Sequence, residues 1–341
     1  MTTPLIEKLN ITSSVSIVII SISLMLFVGF AMTRITKRLK LPNVTAYIVA
    51  GILMGPYCLN LIPVGLIERM DFIADIALAF IAFSTGEFFR FSTLKKSGVK
   101  VLLVTFFEAC LASIAVFIAT HYVLGLDMVF SIVLAALASA TAPASTMMTI
   151  RQTHAKGDFV DTLLQVVALD DVVGLVAYSI AISIALASMT GSFQVQNVLR
   201  PILMNLFAFV LGGVFGLILK FLLHKRSTDN RLIVSIALLF AFCGICALMG
   251  VSSLLGCMSM SMIYINTTDD ERLFKQLNYF SPPLLLLFFV RSGLNFDLGA
   301  IFSSSDHIGS ASLLAVGGGS VCDYAKAEME RLQRALLSAR S

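Results

Sequence analysis

Two adjacent carboxylates, Asp170-Asp171, sit inside the apolar run Leu163 to Ala177, within a stretch long enough to cross a membrane. Few features constrain a fold more. A carboxylate at the centre of a bilayer costs ~2.5–3.5 kcal/mol on insertion-derived scales, and this chain places two side by side. Folding alone has no use for that arrangement. Ionisable groups at such depth mark ion or proton pathways, so the rest of the chain is read around this pair.

Composition agrees with a membrane setting. Hydrophobic residues make up 58% of the 341 and charged residues 13%, against about 25% charged in soluble domains. The net charge of +4 is too small for a nucleic-acid partner, and the basic residues fall at the ends of apolar segments instead of forming one patch. Cys110, Cys243, Cys246 and Cys257 lie within apolar segments and Cys58 at the end of one, as small packing residues do. No cofactor is called for.

A crossing helix needs about 20 mostly apolar residues. That rule gives about ten complete spans, near 13–32, 43–59, 70–89, 99–122, 127–150, 159–189, 201–223, 232–249, 251–266 and 281–301. The fold class is therefore all-α, a polytopic helical membrane protein. Arg34, Lys37, Arg38 and Lys40 follow the first span; Arg90, Lys95, Lys96 and Lys100 the third. Arg151 and Lys156 follow the fifth, Lys225, Arg226 and Arg231 the seventh, Arg272 and Lys275 the ninth. The loops between hold little beyond Arg69 and Arg200. Positive loops stay inside, which puts every second loop in the cytoplasm and the N-terminus outside, in the plasma (inner) membrane.

The fifth span is irregular, reading Leu137-Ala138-Ser139-Ala140-Thr141-Ala142-Pro143-Ala144-Ser145-Thr146. Pro143 lacks an N–H and clashes with the preceding turn. One reading is a simple proline kink, with Ser139 and its hydroxyl neighbours re-satisfying freed carbonyls. The other is a helix unwound at the midplane, whose backbone and Thr141 hydroxyl line a cation site. Asp170-Asp171 in the very next span favours the second.

With these residues in place, the chain resembles the monovalent cation–proton antiporters, in the bacterial branch of sodium–proton exchangers and glutathione-gated potassium-efflux proteins. Leu41-Pro42 with Tyr47 to Pro56 resembles the family's second helix, and Phe80 to Glu87 its third. Thr141-Ala142-Pro143 takes the place of its broken helix and Asp170-Asp171 that of its ion-binding carboxylates. Val251 to Met258 and Phe288 to Leu294 fit later helices. The resemblance implies an inverted-repeat fold, a homodimer in the bilayer, and exchange of Na⁺ or K⁺ for protons. It also implies that Asp171 is the direct cation and proton ligand, with Asp170 supporting it.

There are departures. Relatives often carry an acid where this chain has Ala142, which leaves Thr141 and carbonyls to serve there. The second repeat is expected to begin near residue 310, but Ser310 to Gly319 gives way to a polar, amphipathic segment. The expectation is therefore an exchanger domain over 1–318 lacking most of its second repeat. A tail over 319–341 would then be a junction or frameshift product.

The chemistry of exchange needs one group that takes a proton or a cation, never both. A buried carboxylate qualifies, because desolvation disfavours its ionised form while a bound cation favours it. On a helix Asp170 and Asp171 point about 100° apart, so their roles can differ. Glu108, inside the fourth span, is either part of a proton path or a partner for a neighbouring helix, the second being favoured. Arg291, inside the tenth, must find a carboxylate or carbonyls; a buried acid is the default and charge compensation at Asp170-Asp171 the sharper alternative. Three other functions compete with exchange. A potassium-efflux pathway would carry a nucleotide-binding domain after the membrane part. An intramembrane aspartyl protease needs its aspartates on different helices, which excludes that enzyme. A non-transporting remnant follows if the second repeat is missing.

Overall fold

A computed structural model describes residues 13–39, 41–92, 98–141, 143–190, 195–223 and 228–296. The tail expected over 319–341, the domain boundary at 318 and the start of the second repeat all lie outside the described residues. Within them the chain is helical throughout: α1 Ser14–Arg38, α2 Asn43–Met54, α3 Val64–Arg69, α4 Asp71–Gly86, α5 Val99–Phe117, α6 Met128–Leu137, α7 Pro143–Thr153, α8 Asp158–Thr190, α9 Val195–Leu223, α10 Thr228–Met249, α11 Leu254–Thr268, α12 Glu271–Phe280 and α13 Pro282–Leu294. A six-residue π-helical turn, Ile118–Val123, continues α5.

Each of the ten expected spans overlaps helix, but the helices differ from uniform crossings. Among the described residues four are long and apolar enough to cross by themselves: α1, α5 with its π turn, α9 and α10. The pair α12–α13, bent by 49° at Ser281, makes a fifth if counted as one broken span. The other segments use shorter pieces. The 12-residue α2 stops at Gly55-Pro56, because Pro56 supplies no N–H to continue the ladder. The strongly amphipathic α12 was not expected at all. It buries Leu273, Phe274 and Leu277 on one stripe and leaves Lys275 and Tyr279 outside.

Packing divides into three clusters. One joins α1, α2, α4 and α13 around Met25, Tyr47, Met54 and Val290. Here α2 and α13 cross with their backbones nearly touching: a Cβ on Gly51 would lie 2.0 Å from the Val290 carbonyl oxygen. A second joins α4, α9, α10, α11 and α12 around Phe83, Phe242, Met260 and Phe274. Its closest backbone approach is α9 on α11, where a Cβ on Gly212 would sit 2.0 Å from the Gly256 carbonyl oxygen. The third, built by α6 and α8 around Val133, Ala136 and Ala181, holds the broken span.

The basic loops contact one another in two groups. Arg90 pairs with Glu271 at 2.7 Å, and the Phe91 N–H donates to Asn266 Oδ1 at 2.8 Å. Arg231 pairs with Asp270, which also accepts from Tyr264 at 2.8 Å. The Asn43 N–H donates to Gln152 Oε1 at 3.1 Å. Loops expected to share a side therefore touch one another.

Candidate functional site

The site begins with the break. α6 ends at Leu137, where Ala138 and Ser139 turn the chain, and α7 starts at Pro143. Ten and eleven residues are each too short to cross a bilayer, so the fifth span is two half-helices joined by 138–142. The span is thus split into two helices instead of bending at a simple kink. Ser139 is buried and its hydroxyl donates to the Ala136 carbonyl at 2.7 Å, satisfying a carbonyl freed at the end of α6.

α8 lies against this break. A Cβ on Gly174 would come within 2.5 Å of the Ala140 Cβ and 3.3 Å of its Cα, so only glycine allows the approach. Asp170 is one turn before Gly174 on the same face of α8, ~6 Å along the axis. Its side chain is completely buried, and no backbone N–H or basic side chain among the described residues donates to its carboxylate. The polar side chains facing it are Thr141, from the break, and Glu108, from α5. Most buried carboxylates are saturated with donors. This one faces a hydroxyl and another acid, an arrangement suited to a cation.

The remaining expected site residues fall as follows. Asp171 is within α8 and Pro143 opens α7, but the side chains of both lie outside the described ones. Glu108 reaches the site from α5, so its neighbouring partner is Asp170 itself. Arg291 is paired elsewhere. It pairs with Asp71 at the start of α4, and its Nε donates to the Ile67 carbonyl at 3.4 Å. The reason is where the helix stops. α13 ends at Leu294, which puts Arg291 in the last turn, where a cation complements the carbonyl end of the helix. Arg291 thus finds the carboxylate and carbonyl that its place required, and the acid it pairs with, Asp71, is 73% exposed. Sequence reasoning missed Gly174, although a glycine one turn from an intramembrane aspartate is a readable signal.

A profile described as sodium/hydrogen exchanger, transmembrane, matches residues 15–318. The chain belongs to this exchanger family. Among curated proteins it is 23% identical over 296 residues to probable Na(+)/H(+) antiporter 3 of Methanocaldococcus jannaschii, covering 83% of this chain and 73% of that protein. Two structures of the sodium proton antiporter MjNhaP1 from the same organism share the fold. One, at pH 8, has a TM-score of 0.62 with 20% identity, covering 86% of this chain and 73% of that one. The other, from electron microscopy, has a TM-score of 0.68 with 19% identity, covering 84% and 72%. This exchanger-family chain is a membrane protein whose fold carries a broken helix beside a buried aspartate.

Proposed function

We propose that the protein is a secondary transporter, not an enzyme, and exchanges Na⁺ for protons by competition at Asp170-Asp171. The observation that carries this reading is the Asp170 carboxyl, fully buried, met by the Thr141 hydroxyl and another acid instead of a basic group, one turn from the Gly174–Ala140 contact. Without a counterion an ionised carboxylate there is strongly disfavoured. A proton or a bare cation relieves the penalty, and each excludes the other. Thr141 supplies a neutral oxygen, and Asp171, the next residue of α8, a second carboxylate. Sodium is chosen over potassium because the similar proteins are described as sodium–proton antiporters.

The joined basic loops are assigned to the cytoplasm, with the N-terminus outside in the plasma membrane and the protein as a homodimer. The exchange reading is tested in vesicles carrying the whole chain, with an imposed gradient of Na⁺, K⁺ or Li⁺ and a pH dye inside. Saturable Na⁺-driven proton movement, lost in Asp171→Asn and Asp170→Asn while both still insert, is the expected result. An amide cannot carry an exchangeable proton or balance a cation. Wild-type exchange in both mutants would end the proposal.

A further inference from the structure

Arg34, Lys37 and Arg38, at the C-terminal end of α1, are all exposed, and none of them pairs with a carboxylate among the described residues. Arg90, Arg231 and Arg291, by contrast, each have a carboxylate partner. A basic residue at a helix end is in itself an ordinary mark of topology and complements the last carbonyls. The arrangement of these three goes further.

At 100° per residue, Phe27, Phe30, Arg34, Lys37 and Arg38 fall within one arc of about 100°. Phe27 is 70% and Phe30 54% exposed. The opposite side of α1 is the packed one: Met25, Thr33 and Thr36 are buried, and Gly29 lies against Leu286 of α13. The outward stripe therefore passes from aromatic to cationic within ~17 Å, the rise from Phe27 to Arg38. Its two parts meet at Arg34, whose guanidinium carbon stands 5.4 Å from the centre of the Phe30 ring, within the range of a cation–π contact.

A phospholipid has the same order of chemistry along its length. Acyl chains suit the aromatic part, and the phosphate at the membrane boundary accepts hydrogen bonds from guanidinium and ammonium groups. A zwitterionic headgroup brings its own cation and leaves the three side-chain charges unbalanced. An anionic headgroup balances them, as basic residues beside a membrane surface favour. A soluble anion would meet the charges but gain nothing from the phenylalanines.

We propose that this stripe of α1 binds an anionic phospholipid, with the phosphate held by Arg34, Lys37 and Arg38 and the acyl chains laid along Phe30 and Phe27. Because α1 shares a packed cluster with α2, α4 and α13, the bound lipid stabilises that group of helices. The assignment stands apart from the exchange reading.

The test follows the unfolding temperature of the purified whole chain in detergent as phosphatidylglycerol, phosphatidylcholine or inorganic phosphate is added. Phosphatidylglycerol raises it saturably, as a ligand of the folded state does, and the other two do not. The triple variant Arg34→Gln, Lys37→Gln, Arg38→Gln shifts the half-saturating lipid concentration upward roughly tenfold or more. A control triple, Lys100→Gln, Lys156→Gln, Lys220→Gln, removes exposed cations from other helices and loops and leaves that concentration unchanged. An equal shift in both triples would show a response to net charge alone and overturn the assignment. Inorganic phosphate acting as well as phosphatidylglycerol would place the ligand in solution and overturn it too. So would a α1 triple variant that changes the oligomeric mass but keeps the wild-type lipid response, since the stripe would then be seated on a second copy. If the α1 triple variant does not accumulate, Arg34→Gln alone decides: a weakened response to phosphatidylglycerol supports the site, and a wild-type response overturns it.

Discussion

Replacing Gly174 by alanine tests whether α8 must touch the break. The new Cβ would stand 2.5 Å from the Ala140 Cβ, 3.3 Å from its Cα and 3.5 Å from its N. Carbon atoms in contact prefer about 3.5–4.0 Å, so the helix must retreat by ~1–1.5 Å. The Ala140 methyl has no rotamer by which to escape. Overpacking of this kind costs ~1–3 kcal/mol, offset by the ~1 kcal/mol that alanine gains over glycine inside a helix. The net destabilisation is therefore small, ~0–2 kcal/mol. Function is far more exposed, since a displacement of ~1 Å at a reacting or binding centre can cost ~10²-fold.

Gly174→Ala should therefore insert and unfold near the wild-type temperature, yet lose most Na⁺-driven exchange in vesicles. Ala140→Gly in the same chain removes the clash and should return a large part of the activity. The cycle of the two single mutants and the double measures the coupling directly. Full activity in Gly174→Ala, or a double mutant no better than additive, would refute the claim that this contact seats Asp170 against the break.

Two further substitutions report on the scaffold. Gly51→Ala puts a Cβ 2.0 Å from the Val290 carbonyl oxygen and 2.8 Å from the Gly293 Cα, both backbone atoms, so destabilisation should reach the ~3 kcal/mol upper range of overpacking, read as lowered yield and unfolding temperature. Arg291→Gln should lower the unfolding temperature more than Asp71→Asn, because the arginine side chain is 12% exposed and the aspartate 73%; neither change should alter the KM for Na⁺, and a shift in KM for Arg291→Gln would return that residue to the site.

Much of the helical organisation was legible from residues, because apolar length and basic loops are properties of composition along the chain. The break was also legible, since Pro143 and its small hydroxyl neighbours cannot continue a helix silently. What escaped was how helices are cut and bent. The run 281–301 looked like one crossing, yet α13 ends at Leu294 and is preceded by a bend at Ser281 from amphipathic α12. Arg291 consequently sits in a terminal turn, and depth read from sequence misplaced it. The glycine crossings escaped for a related reason. Gly51 and Gly293 are apolar positions like any other until two backbones approach, and partner identity is a long-range property absent from local pattern.

Helix azimuth bears on the order of the two aspartates. Resemblance to the family makes Asp171 the direct ligand and Asp170 its support. Successive residues turn by about 100°, so Gly174, four residues on, lies only about 40° from Asp170 but about 60° to the other side of Asp171. Since Gly174 marks the line of contact with Ala140, Asp170 lies on the side of α8 that meets the break, and its carboxyl faces Thr141 and Glu108. Asp170→Asn is therefore expected to weaken Na⁺ binding at least as much as Asp171→Asn, measured side by side as thermal stabilisation of the purified proteins by NaCl. If Asp171→Asn is instead the only severe change, α8 must rotate by about 60°, the angle between Asp171 and Gly174, when the cation is bound. That rotation would carry Gly174 off Ala140, so the same experiment repeated on Gly174→Ala would then show little further loss.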